Sequence, residues 1–344
     1  MFKPWKVRLF VVGVVTMSLV IGLMSGSVAL AAEKKLTFYL IAHGPASSPF
    51  WGKAALGFRE FGEAFGVDAR FLGSKIDGDV GEMLANLENV VAAGGGDGVA
   101  MAISDPDLLS GPALKLQKMG VPSIAINVKD IRPEGQRIPY LRYVGEDSYN
   151  VGVANGKKVL AVFKEKAGRA PKHSLWLNHA PGVIVLRWRA DGVKDVLTPE
   201  GTTWDEIDVT MDPSVIKEAV RAYVEKHPDT ETIHTGGSTV AWLAAEQLKE
   251  MGKLGKVNEP YKPGNVYVGG VDVEPEIRRR IMAGEVVCTI DQQPYLQGFY
   301  GGLLLYHWVT HKFLPAADIS TGPFVIDINN AKELLKEAEK GYRG

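Results

Sequence analysis

Short polar segments recur wherever an apolar run of this chain stops. They are "HGPASSPFW" at 43–51, "SDPD" at 104–107, Asn127, "NHAPG" at 178–182, "GGST" at 236–239, "VDVEP" at 271–275 and "IDQQP" at 290–294. Asp, Asn, Gln, Ser and His side chains donate and accept hydrogen bonds, so the shared chemistry is reversible recognition of a polar ligand. A bland role exists for single residues, because Ser48, Asp107, Asp212 and Ser238 suit helix N-caps and a proline after a strand is ordinary turn chemistry. A cap uses one residue per turn, and these turns carry two or three.

Bond-making chemistry finds little support. There is no G-x-x-x-x-G-K-S/T phosphate loop, no G-x-G-x-x-G after the first strand and no G-x-S-x-G nucleophile turn. Gly94, Gly95 and Gly96 fit a helix C-cap. His307 and His311 stand four residues apart in "HWVTH", the spacing of two metal ligands on one helix face, but the glutamate of a metalloprotease helix is missing. "DGDVGE" at 77–82 lacks the spacing of a calcium loop. The expectation is a protein with no metal, no cofactor and no catalytic residue, and therefore not an enzyme.

The chain has 344 residues, 46% apolar and 23% charged, with a net charge of -1. That length suggests two domains, and the balanced charge argues against nucleic acid as a partner. The N-terminus differs from the rest. Lys3, Lys6 and Arg8 precede the uncharged apolar run "VVGVVTMSLVIGLMSG", and "ALAAEKK" offers small residues at Ala29 and Ala31. This is the pattern of a cleavable secretory signal peptide spanning 1–31; the alternative is a retained membrane anchor. No cysteine stands near the cut, which excludes a lipoprotein anchor. The single cysteine, Cys288, lies in the apolar run "EVVCTI" and reads as a buried structural residue. The exported protein therefore forms no internal disulfide and must rest on a hydrophobic core.

Strand-like and helical patterns alternate along the chain. "LTFYLIA" (36–42) precedes a helix over 50–65 in which Trp51, Ala54, Ala55, Phe58 and Phe61 share a face. A helix near 80–93, a strand at 98–104, a helix at 107–119 and a strand at 122–128 follow. The second half repeats the rhythm through strands at 173–180, 203–209, 232–237 and 266–272, with helices at 183–197, 213–226, 239–251 and 274–283. Such alternation predicts an α/β protein with parallel sheets built from right-handed crossovers. Two halves of like grammar suggest two similar lobes, with the Pro- and Gly-punctuated "DIRPEGQRIPYLRYVGED" crossing between them. In open parallel sheets ligands bind beyond the carboxyl ends of the strands, where the polar segments fall.

Taken together, "SSPFW", "ISDPDLL", "GVPSIAIN", "YVGEDSYNVGVANGK" and "TIDQQPYLQGFYGGLLLY" resemble the periplasmic sugar-binding proteins of ABC importers, above all the ribose- and galactose-binding branch. The resemblance covers essentially the whole mature chain. It implies two Rossmann-like lobes of the type I periplasmic binding protein fold, with parallel sheets flanked by helices and joined by three crossovers near Asn127, Gln292 and Thr321. Lobe one is then 34–127 plus 293–320, and lobe two 128–292 plus 321–344. The resemblance also implies that Phe50 and Trp51 stack on a sugar or polyol. Asp105, Asn127, Arg187, Asp272 and Gln292 would bond its hydroxyls, with Ser238 on the wall. Arg189, two residues from Arg187, competes for the same place. "HTGGSTV" and Met211 depart from the ribose-binding pattern, which puts ribose itself in doubt.

By the same resemblance the protein is periplasmic and monomeric, and it hands its solute to an ABC permease in the inner membrane. A sensory receptor presenting its closed form to a chemoreceptor or kinase is the alternative. A secreted sugar-acting enzyme would need two carboxylates flanking a glycosidic bond, for which Asp105 and Asp272 are the only pair proposed.

Overall fold

The apolar runs become strands buried on both faces, and two separate sheets result. The computed structural model describes residues 35–343, so the expected signal peptide lies outside the described residues. The first sheet contains β1 (Thr37–Ala42), β2 (Asp68–Gly73), β3 (Gly98–Met101), β4 (Ser123–Ile126), β5 (Tyr143–Gly145) and β11 (Ile319–Ser320), ordered β11-β5-β4-β3-β1-β2. Every pairing in it is parallel. The second contains β6 (His173–Asn178), β7 (Thr203–Asp208), β8 (Thr230–Thr235), β9 (Tyr267–Val271), β10 (Cys288–Asp291) and β12 (Phe324–Asp327), ordered β12-β10-β9-β8-β6-β7. Only β12 runs antiparallel to its neighbour. The central strands β1, β3, β4, β8 and β9 are almost wholly buried, whereas the edge strand β7 is mostly exposed. Helices on both faces of a parallel sheet explain this, since the interior strands then have no solvent side.

Polar residues at the strand ends start the helices. The order begins with α1 (Trp51–Phe65), α2 (Val80–Ala92) and α3 (Pro106–Lys118), and Asp79 caps α2. Asp105 caps α3 by accepting the Leu108 N–H at 3.0 Å, so the cap is Asp105 and not Asp107. Next come α4 (Ser148–Ala167), α5 (Ile184–Leu197), α6 (Pro213–Lys226), α7 (Ser238–Glu250) and α8 (Pro275–Met282). The last are α9 (Pro294–His311) and α10 (Ala331–Glu339). Asp147 caps α4 and Asp212 caps α6. Pro294 opens α9 at the first turn, where its missing N–H costs nothing.

The first crossing differs from expectation. The chain does not leave lobe one at Asn127; it returns to the first sheet as β5, which pairs with β4 through Ala125↔Tyr143 and Ile126↔Val144. The crossing comes after Gly145. The Pro- and Gly-rich stretch before it is therefore a loop of lobe one, pinned by Asp130, which takes bonds from Arg132 and from the Ile138 N–H at 2.8 Å. The chain passes between sheets again between Asp291 and Pro294, and once more between Ser320 and Phe324. Helix α4 is also new relative to the sequence reading. Its buried face includes Ser148, Gly152, Asn155 and Gly156, which dilutes the apolar periodicity that reveals helices.

Each lobe packs a helix pair through glycines. In lobe one, a Cβ on Gly298 would overlap the Ala54 carbonyl, and one on Gly57 the Tyr295 carbonyl. In lobe two, a Cβ on Gly152 would overlap the Arg189 carbonyl and one on Gly192 the Tyr149 carbonyl. Overpacking of this kind costs about 1–3 kcal/mol or more. Gly298→Val should therefore lower the unfolding free energy by an amount in that range, read as a lower urea midpoint, whereas Gly111→Ala, with open space around it, should leave the midpoint at or above wild type. Equal midpoints for wild type and Gly298→Val would show that α1 and α9 are not in backbone contact.

Candidate ligand-binding site

The two sheets face each other with the same ends. In lobe one the strand order reverses between β1 and β3, and in lobe two between β6 and β8; ligands bind at such switch points. A cavity of about 110 Å³ lies there, bounded by both lobes. Its walls include His43 after β1, Asn127 after β4, His179 after β6, Gly236 after β8, Asp272 after β9 and Gln292 after β10. Across the lips, Gly78 of lobe one stands opposite Ala180 and Val183 of lobe two, whose methyl groups lie 3.7–3.8 Å from where a Gly78 Cβ would be. Val183, Val185 and Leu186 join the hydrophobic cluster of lobe one. The lobes are thus closed on one another.

An aromatic wall comes from the start of α1. Trp51 is 2% exposed and meets the His43 ring edge-on at 4.8 Å, and Phe50 meets Trp51 at 4.8 Å in the same manner. The Ser48 hydroxyl accepts the Trp51 N–H at 3.1 Å, fixing this turn. Gly44 is required beside it, since a Cβ there would overlap both Asp77 and the Trp51 indole.

A buried ion pair supplies the charge. Arg189, 3% exposed, donates to Glu146 Oε1 at 2.7 Å and to the Gly236 carbonyl at 3.1 Å. Glu146 immediately follows β5 of lobe one, and Arg189 sits on α5 of lobe two, so the pair ties the lobes together at the first crossing. Ser148 adds a bond to the same carboxylate oxygen at 2.8 Å. Three buried atoms here, Arg189 Nε, His179 Nδ1 and Glu146 Oε2, have no partner in the described protein. A second tie runs from Asn127 Nδ2 to Gln292 Oε1 at 3.4 Å, and Gln292 Nε2 donates in turn to Asp272.

Asn127 and Asp272 share a further feature. Both have positive φ, 58° and 70°, and each is the first residue after an equivalent strand of its lobe. Asn and Asp tolerate this left-handed region better than other non-glycine residues. Backbone strain of this kind collects at ligand-binding sites.

Of the residues expected from the sequence, the structure brings together Phe50, Trp51, Asn127, Ser238, Asp272 and Gln292 around the cavity. Two stand elsewhere. Asp105 is spent on capping α3, and Arg187 faces outward, paired with Asp191 at 2.8 Å and Glu206 at 3.3 Å. Arg187 and Arg189 are two residues apart, so a helix turns them to different faces, and the cavity takes Arg189. The pair Asp105 with Asp272 expected of a sugar-acting enzyme is therefore not brought together at this cavity. Sequence reasoning missed His43, Asp77, His179 and Glu146. His43 and His179 occupied matching places, each directly after the first strand of its half, and that repetition was the available signal.

Burial shifts these groups. Loss of solvent, reinforced by the Arg189 charge, lowers His43 and His179 to about 4, so both rings stay neutral near pH 7; His43 Nδ1 is engaged by the Ser104 hydroxyl, whereas His179 Nδ1 has no partner among the described residues. Burial raises Asp272 to about 6 against the opposing pull of Arg189 and Gln292. Asp77 is an exposed residue overall, yet loss of solvent at its carboxyl in the cavity raises it to about 6, with a Ser48 hydrogen bond opposing.

A family model described as a periplasmic binding protein domain matches residues 38–312. The chain belongs to this family. Its two-sheet architecture is the type I periplasmic binding protein fold. The xylose/arabinose-binding protein XylF of Sulfolobus acidocaldarius is 26% identical over 323 residues, covering 91% of this chain and 76% of that protein. The D-allose-binding periplasmic protein of Escherichia coli is 22% identical, covering 80% of this chain and 84% of its own length. Among solved structures, a carbohydrate transporter from Acidothermus cellulolyticus 11B in complex with myo-inositol superposes with a TM-score of 0.76 at 24% identity, covering 90% of this chain and 100% of that one. A periplasmic sugar-binding protein of an ABC sugar transporter from Legionella pneumophila gives 0.74 at 27% identity, covering 84% and 100%.

The raised Asp272 pKa carries a sign. Folding takes up a proton here between the ordinary carboxylate pKa and about 6, so the contribution to stability is full at low pH and is lost as pH rises through that window. Asn at this position has nothing to titrate. The stability of Asp272→Asn relative to wild type, from urea unfolding of ligand-free protein, should therefore improve by up to about 1.4 kcal/mol per pH unit between pH 4 and pH 6. A difference independent of pH would mean that Asp272 ionises as in open solution.

Proposed function

We propose that this protein is the solute-binding component of an ABC-type importer and captures a small sugar or polyol in the cavity between its lobes. The observation that carries the reading is the pairing of an aromatic wall, Phe50 and Trp51, with a ring of donors and acceptors drawn from both lobes. A sugar has apolar C–H faces that suit aromatic rings and a rim of hydroxyls that suit Arg, Asp, Asn, Gln and neutral His, with charged partners making the stronger bonds. The relatives named above, described as binding xylose or arabinose, allose and myo-inositol, point the same way.

Binding works by population shift. Contacts from Trp51 and Asn127 on one side and from Arg189 and Asp272 on the other coexist only with the lobes closed, so ligand favours closure about the three crossings. The closed rims are then read by an inner-membrane permease. The protein itself makes and breaks no covalent bond. It acts as a monomer in the periplasm, exported by the segment 1–31.

Isothermal titration of ligand-stripped protein with xylose, arabinose, allose, myo-inositol and a wider set of monosaccharides tests this. One of them should bind, and at a hundred times its Kd should add about 2.7 kcal/mol of stability. Asp272→Asn should weaken that ligand by roughly 10- to 150-fold, the worth of a hydrogen bond to a charged group, whereas Arg187→Ala should leave its affinity unchanged. Silence across the whole set would overturn the sugar reading; loss with Arg187→Ala would overturn the site. Separately, N-terminal sequencing of the protein from a periplasmic extract should begin at Ala32, and an intact Met1 in the membrane fraction would show a retained anchor instead.

A further inference from the structure

At the far end of lobe two, three metal-ligating side chains meet that the ligand cavity does not use. His173 opens β6, Asp205 lies in β7 and His227 ends α6, and one ligand atom from each lies within 4.8 Å of the others. Asn178 and His179 belong to the opposite end of β6, so cluster and cavity are separated by roughly 17 Å of strand.

His173 is buried and held at both nitrogens. Nδ1 meets the Thr203 hydroxyl at 2.7 Å and Nε2 meets the Tyr223 hydroxyl at 2.7 Å. Thr203 gives its own proton to the Lys172 carbonyl at 3.1 Å. With that proton on the carbonyl, Nδ1 carries the ring hydrogen and Nε2 the lone pair; with the hydroxyl turned to Nδ1, Nε2 carries the hydrogen instead. The Tyr223 oxygen also stands 2.5 Å from Asp205 Oδ2, and that oxygen is 3.7 Å from His173 Nε2. In the first arrangement one phenolic proton faces two acceptors, a lone pair and a carboxylate, and satisfies one of them. The His227 ring stacks on Tyr223 with centroids 4.3 Å apart, closing the third side, and no hydrogen bond engages its nitrogens among the described residues.

We propose that His173 Nε2, an Asp205 carboxylate oxygen and a His227 imidazole nitrogen form a binding site for a divalent cation of the zinc class. In the arrangement that leaves the lone pair on Nε2, the cation satisfies both acceptors that share the single phenolic proton. Two imidazoles and one carboxylate are a donor set for Zn²⁺, while Ca²⁺ and Mg²⁺ prefer all-oxygen shells. Three protein ligands leave a fourth position for water or the displaced Tyr223 hydroxyl. The Thr203 contact to His173 Nδ1 is the outer hydrogen bond that orients such a ligand. A bound ion joins β6, β7 and the end of α6, and so stabilises the lobe without touching the ligand cavity.

Zinc titration of chelator-stripped protein by calorimetry, with thermal unfolding alongside, tests the site. Wild type should bind one Zn²⁺ per chain and unfold at a higher temperature with it. Thr203→Val should weaken zinc about 10- to 100-fold, and His227→Ala and Asp205→Asn, both on accessible side chains, should weaken it further while sugar affinity stays as in wild type. Wild type that binds no zinc would overturn the proposal. So would equal zinc binding by wild type and the double variant His227→Ala/Asp205→Asn, which would place the ion elsewhere, for instance at His307 and His311. Sugar titration of the same samples reports on the cavity independently.

Discussion

The buried pair between Arg189 and Glu146 is the constraint that fixes the first crossing against lobe two. A guanidinium taken out of water is strongly destabilising unless an opposite charge and further hydrogen bonds compensate it. Here the charge comes from the crossing that follows β5, 2.7 Å away, and the remaining bond from the Gly236 carbonyl. The pair therefore exists only when α5 and the end of β5 are brought together. Its position is set by backbone contact as well, since Gly152 of α4 lets the Arg189 carbonyl approach where any Cβ would collide.

From that charge the chemistry of the cavity follows. It reinforces burial in keeping His43 and His179 neutral, and it opposes burial at Asp272. The result is a pocket in which two neutral imidazoles stand beside a guanidinium already paired with Glu146 and beside the carboxyls of Asp77 and Asp272, which at about 6 are ionised near pH 7.

The two lobes solve one problem twice. β1, β3, β4 and β5 occupy the places that β6, β8, β9 and β10 occupy in the second sheet. His43 answers to His179, Asn127 to Asp272 with the same left-handed backbone, and Glu146 to Gln292, each directly after its strand. Glu146 reaches Arg189 and Gln292 reaches Asp272, so each residue that ends a lobe's fifth strand also carries a tie to the cleft. This equivalence explains why the first crossing follows β5: a sheet that stopped at β4 would lack the strand that delivers Glu146.

Much of this was legible in the sequence because fully buried parallel strands are continuous apolar runs and because Asp, Pro and Gly punctuate helix ends locally. The strand order, by contrast, is a matter of which distant segments share hydrogen bonds, and the short β5, β11 and β12 carry too few residues to show a period. Helix α4 hid because its buried face is built of glycine, serine and asparagine chosen for close approach. The sequence by itself determined the α/β class, the polar turns after the strands and the candidacy of Trp51, Asn127, Asp272 and Gln292. Only the tertiary structure decided that Arg189 enters the cleft while Arg187 stays in solvent and that Asp105 serves its helix, because those outcomes depend on the angle at which α3 and α5 pack, which no local spacing encodes.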